Sequence, residues 1–255
     1  MVNIALVGCN GRMGKAVSEA AAARNDCKIL FGADPFGTSA YEYPVYKSLM
    51  ESETKADVII DFSNPALLDD ILEYAVKYNT PCVICTTGFS ADEIDKINKT
   101  SEKVAVFRSG NMSLGINLLI ELSKEAAKLL GNEFDIEIIE KHHNQKLDAP
   151  SGTALMLADG ISEVLEEEPQ YVYDRHSYRK KRAKNEIGIH AVRGGTIVGE
   201  HEVIFAGHDE VVSLTHQAQS REVFAVGAVN AAIYLASQGA GMYNMSNLLS
   251  SKLGL

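Results

Sequence analysis

The stretch NIALVGCNGRMG, residues 3–14, decides the fold of the first part of the chain. Its apolar run, residues 3–7, predicts a buried strand, and the residues that follow, 15–24, are rich in helix-forming side chains. A second apolar run, residues 27–33, predicts another strand. This order is typical of a β-α-β unit with glycines in its first turn, and it predicts the start of a parallel sheet.

The glycines of that turn predict a dinucleotide site. Gly8, Gly11 and Gly14 have GxxGxxG spacing, whereas the standard fingerprint is GxGxxG. Small residues let the backbone approach a pyrophosphate, which binds at the positive end of the following helix. Asp34 ends the second strand, 20 residues after Gly14, where a carboxylate can accept hydrogen bonds from ribose hydroxyls. The alternative is a plain strand-to-helix turn.

Asp34 also bears on which dinucleotide is used. Its carboxylate should repel a 2′-phosphate, and the next residue is Pro35 rather than a basic one. Both features favour NADH, so we expect a lower KM for NADH than for NADPH. Arg12 could reach a 2′-phosphate, which leaves NADPH open as a second cofactor.

Strands and helices continue to alternate as far as residue 108. Such alternation predicts a parallel sheet with ligand sites at the carboxyl ends of its strands. Ser90 and Glu93 have capping-box spacing and mark one helix start. The turns at the strand ends are candidate contacts for the nicotinamide half, although each taken alone could be an ordinary loop; they are residues 62–65, 85–88 and 109–112.

The pattern changes in the second part of the chain. Three consecutive strands with glycine-rich connections predict antiparallel pairing, and the long apolar stretch 223–238 predicts a last helix. We predict an α/β protein: a Rossmann-type parallel-sheet domain, residues 1–112 with 224–255, and an α+β substrate-binding and oligomerisation domain with a mainly antiparallel or mixed sheet, residues 113–223. The elements expected there are a helix 115–130, a strand 134–140, a helix 154–168, a polar loop 171–184 and strands 187–193, 199–205 and 210–216.

Charge and composition exclude some classes of protein. The formal net charge of −10 argues against a general binder of nucleic acid or of a membrane surface. No apolar run approaches the roughly 18 residues that span a bilayer. One basic run, from Arg175 to Lys184, is interpreted as a solvated loop, with attraction of an anionic substrate as the functional alternative.

The four cysteines predict a reduced, cytoplasmic protein. All lie in the first third of the chain, mostly in apolar surroundings, unlike a disulfide framework. Cys82 and Cys85 form a CxxC, but residues three apart in a strand point to opposite faces, so we expect neither a redox pair nor a zinc site.

The stretch EKHHNQKLDAPSGTA, residues 140–154, collects proton carriers and anion-binding groups between a predicted strand and a predicted helix. His142 and His143 suit proton transfer, Lys146 adds a cation, and Ser151 to Thr153 offer hydroxyls and N–H groups at a helix start. These groups predict that a small anion is held and protonated here. No third ligand accompanies the two histidines, so we expect no metal.

At these residues the chain resembles the 4-hydroxy-tetrahydrodipicolinate reductase (dihydrodipicolinate reductase) family of lysine and diaminopimelate synthesis. The resemblance covers nearly the whole chain, and the histidine-rich stretch is its most specific part. The matching segments are residues 8–14, 86–89, 111–113, 140–154, 193–195, 199–201 and 241–243.

The resemblance implies a role for each candidate residue and a homotetramer joined through the sheets of the second domain. It implies a small cyclic imine with two carboxylates as substrate. His142 and Lys146 would carry the proton, and His143, Gly152 and Thr153 would bind a substrate carboxylate. The cofactor would contact Gly8, Cys9, Asn10, Gly11, Arg12, Met13, Asp34, Cys85, Thr86, Thr87, Ser109, Gly110, Asn111 and Met112.

Two positions depart from the family pattern. Cys85 stands where the family usually has Gly, and Met112 where Phe is common. Two other functions fit parts of the sequence. A dehydrogenase of the aspartate semialdehyde type would need Cys85 as a nucleophile, and a redox sensor that only binds NADH would not need His142 or Lys146.

Overall fold

The computed structural model describes residues 1–37 and 41–254, which divide into two compact units. The first unit comprises residues 1–113 and 222–255, and the second comprises residues 114–221. The roles assigned to the two predicted domains stay predictions. Among the described residues, no helix is both long and apolar enough to cross a membrane.

Strands and helices alternate in the first unit. Short 3-10 helices at Leu49–Glu51 and Pro65–Leu67 interrupt the connections. The elements are β1 (Val2–Val7), α1 (Arg12–Ala22), β2 (Cys27–Ala33), β3 (Val45–Tyr46), β4 (Val58–Asp61), α2 (Leu68–Tyr78), β5 (Cys82–Ile84), α3 (Ala91–Ser101) and β6 (Ala105–Arg108).

The second unit follows, and then the chain returns to the first. The second unit contains α4 (Leu114–Leu130), a 3-10 turn, β7 (Asp135–His142), α5 (Gly152–Ser162), β8 (Gln170–Val172), β9 (Glu186–Arg193), β10 (Gly199–Ala206) and β11 (Val211–Ala218). The returning elements are α6 (Glu222–Leu235), β12 (Gly241–Tyr243) and α7 (Met245–Leu253).

The sheet of the first unit has seven parallel strands in the order β12-β6-β5-β4-β1-β2-β3. One face packs against α2 and α3, where Ile59 and Ile84 meet Ile71 and Ile97 in a buried core. On the other face α6 packs on β4, β5 and β6 and against α1. The predicted Rossmann-type sheet is confirmed, and β3 and β12 are edge strands that the sequence did not predict.

The sheet of the second unit is mixed, with the order β11-β10-β7-β9-β8. The strand β7 lies at its centre, antiparallel to β10 and parallel to β9. One face of β7 is buried, and Ile136 and Ile138 pack there with Leu157 and Ile161 of α5. The predicted α+β class with a mixed sheet is confirmed.

Three local predictions in the second unit were wrong. The strands β9 and β10 do not pair with each other, because β7 lies between them; only β10 and β11 form the antiparallel pair expected of neighbours in sequence. The predicted loop 171–184 begins inside β8, which adds a parallel edge strand. The helix expected over 154–168 begins at Gly152 and ends at Ser162, because Ser151 caps its start and the exposed residues Glu166–Glu168 bury no side chain to continue it.

The close packing of α6 gives a test of this fold. A side chain at Gly227 would place its Cβ 1.7 Å from the Met112 carbonyl oxygen, so the helix lies against the backbone of the turn after β6. Gly227→Ala should lower the free energy of unfolding by about 1–3 kcal/mol or more, despite the better helix propensity of Ala. Urea unfolding measures the change. Gly239→Ala, where a Cβ meets open space, is the matched control; equal stability of the two variants would contradict the packing.

Candidate active site

The turn between β1 and α1 is built so that the backbone of its glycines packs closely. Gly8 has a φ of 77°, and a Cβ there would lie 2.5 Å from the Phe62 carbonyl oxygen. A Cβ at Gly14 would lie 2.3 Å from the Gly8 carbonyl oxygen, so the helix can approach the turn only without a side chain at this position. Among the described residues, no side chain caps α1 at Gly11, which leaves the N–H groups of its first turn for an anion.

Asp34 lies at the end of β2 beside this turn. It is only 5% exposed, and its two oxygens accept hydrogen bonds from the backbone N–H groups of Asn10 (3.1 Å) and Phe36 (3.0 Å). A cavity of about 360 Å³ opens here, lined by the glycine turn, Asp34, Phe36 and the turn after β4. The structure therefore brings together the predicted pyrophosphate turn and the predicted ribose acceptor.

The side chains of the predicted cofactor contacts in the glycine turn differ in how far they are exposed. Asn10 is half-buried and its side-chain amide donates to the Gly37 carbonyl oxygen at 2.9 Å. Cys9 is buried, and that burial, with the nearby Asp34 carboxylate, raises the pKa of its thiol to about 11. Arg12 is exposed and Met13 is half-buried at the start of α1. Cys9 can therefore contact a cofactor through its backbone, while Arg12 is open to solvent.

A buried carboxylate that the sequence did not single out orders the next two turns. Asp61 ends β4, is 1% exposed and accepts hydrogen bonds from the backbone N–H (3.0 Å) and the hydroxyl of Ser63. Thr86 Oγ1 accepts the same Ser63 N–H at 3.0 Å. Burial raises the pKa of Asp61, and its hydrogen bonds with Ser63 and Thr86 oppose that rise. The predicted contact Thr86 is thus fixed beside the turn after β4, and Thr87 follows it.

The turn after β6 holds the last predicted cofactor contacts. Ser109 Oγ donates to the Asn111 carbonyl oxygen at 3.0 Å, across Gly110, and Asn111 Oδ1 accepts the Ser113 N–H at 2.8 Å. Met112 is 4% exposed and packs inside its own unit. The polar members of this turn are therefore held by one another.

The four cysteines form no disulfides. All four are free, and the strand β5 begins at Cys82 while Cys85 follows its end. Burial raises the pKa of Cys82 to about 12 and that of Cys85 well above its ordinary value, and Asp61 adds to both shifts. A reactive nucleophile needs a lowered thiol pKa, so neither residue has the character of a catalytic cysteine.

In the second unit, the buried face of β7 changes from apolar to polar along the strand. After Ile136 and Ile138, the same face carries Glu140 and His142. The side chain of Glu140 is fully buried. His142 is 8% exposed, and its Nδ1 lies 2.6 Å from Glu140 Oε2. The strand thus leads directly from the hydrophobic core to a buried pair of titratable side chains.

Neighbouring strands supply two groups that the sequence did not predict. In the sheet register Arg193 of β9 lies opposite His142, and His201 of β10 lies opposite Glu140. The Arg193 guanidinium donates to both oxygens of Glu140 at 2.7 Å. The rings of His142 and His201 meet edge to face, with centroids 5.2 Å apart. Only the strand order could reveal these contacts, since Arg193 and His201 both lie more than 50 positions along the chain from His142 and Glu140.

The start of α5 lies at the same carboxylate. The backbone N–H of Ser151 donates to Glu140 Oε1 at 2.9 Å, while Ser151 Oγ accepts the Ala154 N–H at 3.1 Å and lies 3.0 Å from His201 Nε2. Gly152 and Thr153 form the first turn of the helix, at the positive end of its dipole. The predicted anion-binding turn therefore shares Glu140 with the predicted proton carrier.

Lys146 and His143 lie in the loop that joins β7 to α5. Lys146 Nζ is 2.9 Å from Asp148 Oδ1, and Arg193 also donates to the Asp148 carbonyl oxygen at 2.7 Å. His143 is half-buried. The loop is thus tied to β9 through Arg193. It holds the predicted cation Lys146, which belongs to the same unit as His142.

The basic run of residues 175–184 is not simply a solvated loop. Arg175 donates to Glu186 (2.8 Å) and Glu137 (3.1 Å), and Arg182 donates to Glu137 (3.1 Å) and Asp135 (2.9 Å). These bonds lie on the face of β7 opposite Glu140. The two arginines therefore stabilise the sheet, which the local run of like charges could not indicate.

Comparison with known proteins decides the family. A family model described as "Dihydrodipicolinate reductase, N-terminus" matches residues 2–112, and one described as "Dihydrodipicolinate reductase, C-terminus" matches residues 115–249. The chain belongs to the dihydrodipicolinate reductase family. The resemblance noted from the sequence is confirmed.

Relatives of the family match over nearly their full length. The 4-hydroxy-tetrahydrodipicolinate reductase of Clostridium tetani is 48% identical over 98% of this chain and 98% of its own. That of Caldanaerobacter subterraneus subsp. tengcongensis is 51% identical with the same coverage. Among solved structures, a dipicolinate-bound dihydrodipicolinate reductase from a Paenisporosarcina species matches with a TM-score of 0.79 and 26% identity, covering 96% of this chain and 97% of its own.

The buried histidine His201 makes stability depend on pH. Burial, with the nearby His142, lowers the pKa of His201 to about 3. Because the unfolded chain binds this proton first as the pH falls below the ordinary histidine value of about 6.5, the free energy of unfolding should decrease by up to about 1.4 kcal/mol per pH unit from that pH downwards. Between pH 7 and pH 5 we expect a loss of about 2 kcal/mol from this group.

Urea unfolding of the wild type and of His201→Gln at pH 7 and pH 5 measures this loss. The variant should lose less stability between the two pH values than the wild type. His208→Gln, at a histidine whose side chain is 97% exposed, is the control and should keep the wild-type difference. A pH dependence unchanged in His201→Gln would refute the assignment.

Proposed function

We propose that the chain reduces 4-hydroxy-tetrahydrodipicolinate, with loss of water, to tetrahydrodipicolinate in diaminopimelate and lysine synthesis. The observation that carries the proposal is the double use of Glu140, which binds His142 and the backbone of Ser151 at the start of α5. A proton carrier and an anion-binding helix start are thereby fixed to one buried group. A reduction that adds a hydride and a proton to a small dicarboxylate needs both.

The residues of the first unit fit a nicotinamide dinucleotide. The uncapped first turn of α1 suits a pyrophosphate, and the buried Asp34 carboxylate suits the ribose hydroxyls. When bound, the reduced nicotinamide supplies the hydride. We assign the contacts to Gly8–Met13, Asp34, Cys85–Thr87 and Ser109–Met112, as the family resemblance implies.

The residues of the second unit hold the substrate and move the proton. Burial lowers the pKa of His142, and Glu140 opposes this shift only in part. With its Nδ1 bonded to Glu140, His142 offers Nε2 for proton transfer, and Lys146 provides a cation and a second proton donor. His143 and the N–H groups of Gly152 and Thr153 bind a substrate carboxylate. Fixed cations and helix N–H groups near two carboxylates offset charge and set geometry, which is the larger part of such catalysis.

We propose NADH as the preferred cofactor, with NADPH as a possible second one. Each oxygen of Asp34 is oriented by a backbone N–H, so the carboxylate is fixed where a 2′-phosphate would need a cation. The two residues that follow it are Pro35 and Phe36, and Phe36 is 91% exposed. Charge repulsion at Asp34 supports this preference.

We further propose a cytoplasmic homotetramer joined through the sheets of the second unit. The strand β11 is an edge strand, and its first residues, Val211 and Val212, are 63% and 36% exposed. On α4 of the same unit Leu129 is 85% exposed. An unpaired edge beside exposed apolar side chains favours association with another chain. Free thiols at all four cysteines suit a reducing compartment.

The reaction is tested by following NADH absorbance with freshly made 4-hydroxy-tetrahydrodipicolinate. Oxidation of NADH only when the cyclic imine is present supports the enzyme; NADH binding without oxidation would support a redox sensor instead. Full activity in Cys85→Ser is expected, because a half-buried thiol with a raised pKa is no nucleophile and because serine keeps the backbone through which residue 85 would contact the cofactor. Loss of activity there would favour a dehydrogenase of the aspartate semialdehyde type.

In the same assay the proton carriers can be separated from other cations. His142→Gln should lower kcat by about 10²–10⁴-fold, the range of a general acid or base. Lys146→Ala should lower kcat and raise KM for the imine, since it removes a proton donor and a cation together. The control is Lys141→Ala, because Lys141 pairs with Glu200 at 3.0 Å on the opposite face of β7. An unchanged kcat in His142→Gln would remove that residue from the mechanism.

Cofactor preference is tested at Asp34. The wild type should have a lower KM for NADH than for NADPH, and Asp34→Asn should reduce the ratio of the two kcat/KM values by about tenfold or more, equivalent to about 1.4 kcal/mol of relieved repulsion. The control is Asp57→Asn, because Asp57 binds the backbone N–H of Asn3 at the amino ends of the strands. A clear NADPH preference in the wild type would contradict the role of Asp34.

A further inference from the structure

We infer that Glu140 is a positioning residue that fixes the tautomer of His142 and, through Ser151, couples it to the anion-binding start of α5. This inference rests on the proposed function and deepens it. It concerns a residue that does not touch the substrate itself, so its effect must pass through His142 and the helix. Three observations carry it: the hydrogen bonds of Glu140, the charge balance around it and the space beside His142.

The hydrogen bonds of Glu140 come entirely from donors. Oε1 accepts from Ser151 N (2.9 Å) and Arg193 Nη2 (2.7 Å), and Oε2 accepts from Arg193 Nη1 (2.7 Å) and faces His142 Nδ1 (2.6 Å). An ionised carboxylate has no proton to give, so the proton in the Glu140–His142 contact belongs to His142 Nδ1. The neutral ring must then carry a lone pair on Nε2, and the protonated ring carries its exchangeable proton there.

The charge balance keeps Glu140 ionised although it is buried. Burial opposes ionisation, but the hydrogen bonds from Arg193, His142 and Ser151 outweigh it and lower the pKa of Glu140. A lone buried carboxylate would instead be protonated and could not act as a pure acceptor. Arg193 is therefore needed to keep the group that sets the tautomer of His142 in its charged form.

The space beside His142 lies on the Nε2 side of the ring. A Cβ on Gly199 of β10 would lie 3.1 Å from Nε2, so the glycine leaves that nitrogen uncrowded. The ring is thus fixed at Nδ1 by Glu140 and meets the His201 ring edge to face, which leaves Nε2 as the nitrogen for proton transfer. The same carboxylate sets the position of the Ser151 N–H, so any movement of Glu140 shifts both the ring and the helix start.

Glu140→Gln tests this arrangement with little change of shape. In the glutamine side chain, one of the two carboxylate oxygens is replaced by an NH₂ group. That group faces either His142 and Arg193, at the Oε2 position, or Ser151 and Arg193, at the Oε1 position. In the first orientation the amide donates to His142 Nδ1, and the ring must carry its proton on Nε2. We expect kcat to fall by about 10²–10⁴-fold, the range for a histidine held in the wrong tautomer. KM for the imine should rise as well, because the start of α5 loses an anchor.

A matched control lies on the same strand. Glu137 also bonds a histidine, His190, at 2.7 Å, and it bonds Arg175 and Arg182, but on the opposite face of β7. Glu137→Gln therefore breaks a comparable network without reaching His142. It should lower stability and leave kcat and KM within a few-fold of the wild type. If it lowers kcat as much as Glu140→Gln does, a structural role explains both and the inference fails.

The titration of His142 gives a readout that does not depend on activity. The charged groups near His142 are Glu140, Lys146 and Arg193, and the neutral ring of His201 contacts it edge to face. Removing the Glu140 charge leaves only cations and burial, so the pH at which His142 titrates should fall in Glu140→Gln. It should not change in Glu137→Gln. Nitrogen-15 chemical shifts of the imidazole, assigned with His142→Gln, report both the titration and the tautomer.

The wild type alone can overturn the inference if Glu140→Gln fails to fold. Its neutral His142 should show the proton on Nδ1, and a dominant Nε2–H tautomer would refute the assignment. If the wild type does not oxidise NADH with the imine, the proposed function fails, and the tautomer still stands or falls by its own measurement. If the wild type is active and Glu140→Gln keeps its kcat and the wild-type tautomer, only the positioning role fails.

Discussion

The candidate site of the second unit depends on the buried negative charge of Glu140. A buried carboxylate is tolerated only when it is paired and its oxygens are bonded, and here four donors from three segments satisfy it. His142 comes from β7, Arg193 from β9, and Ser151 from the start of α5. The parallel pairing of β7 with β9 and the approach of α5 are therefore conditions for burying this charge. The apolar half of the same strand face, at Ile136 and Ile138, anchors α5 in place.

In the first unit, too, buried carboxylates that accept hydrogen bonds lie at the ends of strands. Asp34 accepts two backbone N–H groups and shapes the turn beside the glycines, and Asp61 accepts the N–H of Ser63 and orders the turn after β4. In each case a short acidic side chain replaces the backbone acceptors that an irregular turn lacks. Parallel strands end at one edge of the sheet, so turns ordered in this way can together form a site for an extended ligand.

The sequence predicted the features that are local and failed where distant segments decide. Alternating apolar runs and helices predicted the parallel sheet, and the spacing of Ser90 and Glu93 predicted a capping box that the structure contains. The strands β9 and β10 were expected to pair because they are neighbours in sequence, but β7 separates them. The short strand β12 has three residues, too few for a periodic pattern, and its place is set by pairing with β6. The residue types of the stretch 140–154 predicted a proton-transfer site, which stays a prediction, whereas the contacts of Arg193 and His201 with Glu140 and His142 follow only from the strand order.

The buried His201 is a residue that stability alone would not favour at its position. His201 is 4% exposed, and among the described residues its Nδ1 has no hydrogen-bond partner. Such a buried, unbonded polar atom costs free energy, and an apolar side chain in its place would avoid that cost. Yet a neutral ring at this position adds no second positive charge beside His142, where Arg193 and Lys146 already lower its pKa. It also lies 3.0 Å from Ser151 Oγ, at the cap of α5. A neutral imidazole ring adds no positive charge beside His142 and still reaches the Ser151 hydroxyl. An aliphatic core residue would meet the first requirement but could not form the contact with Ser151.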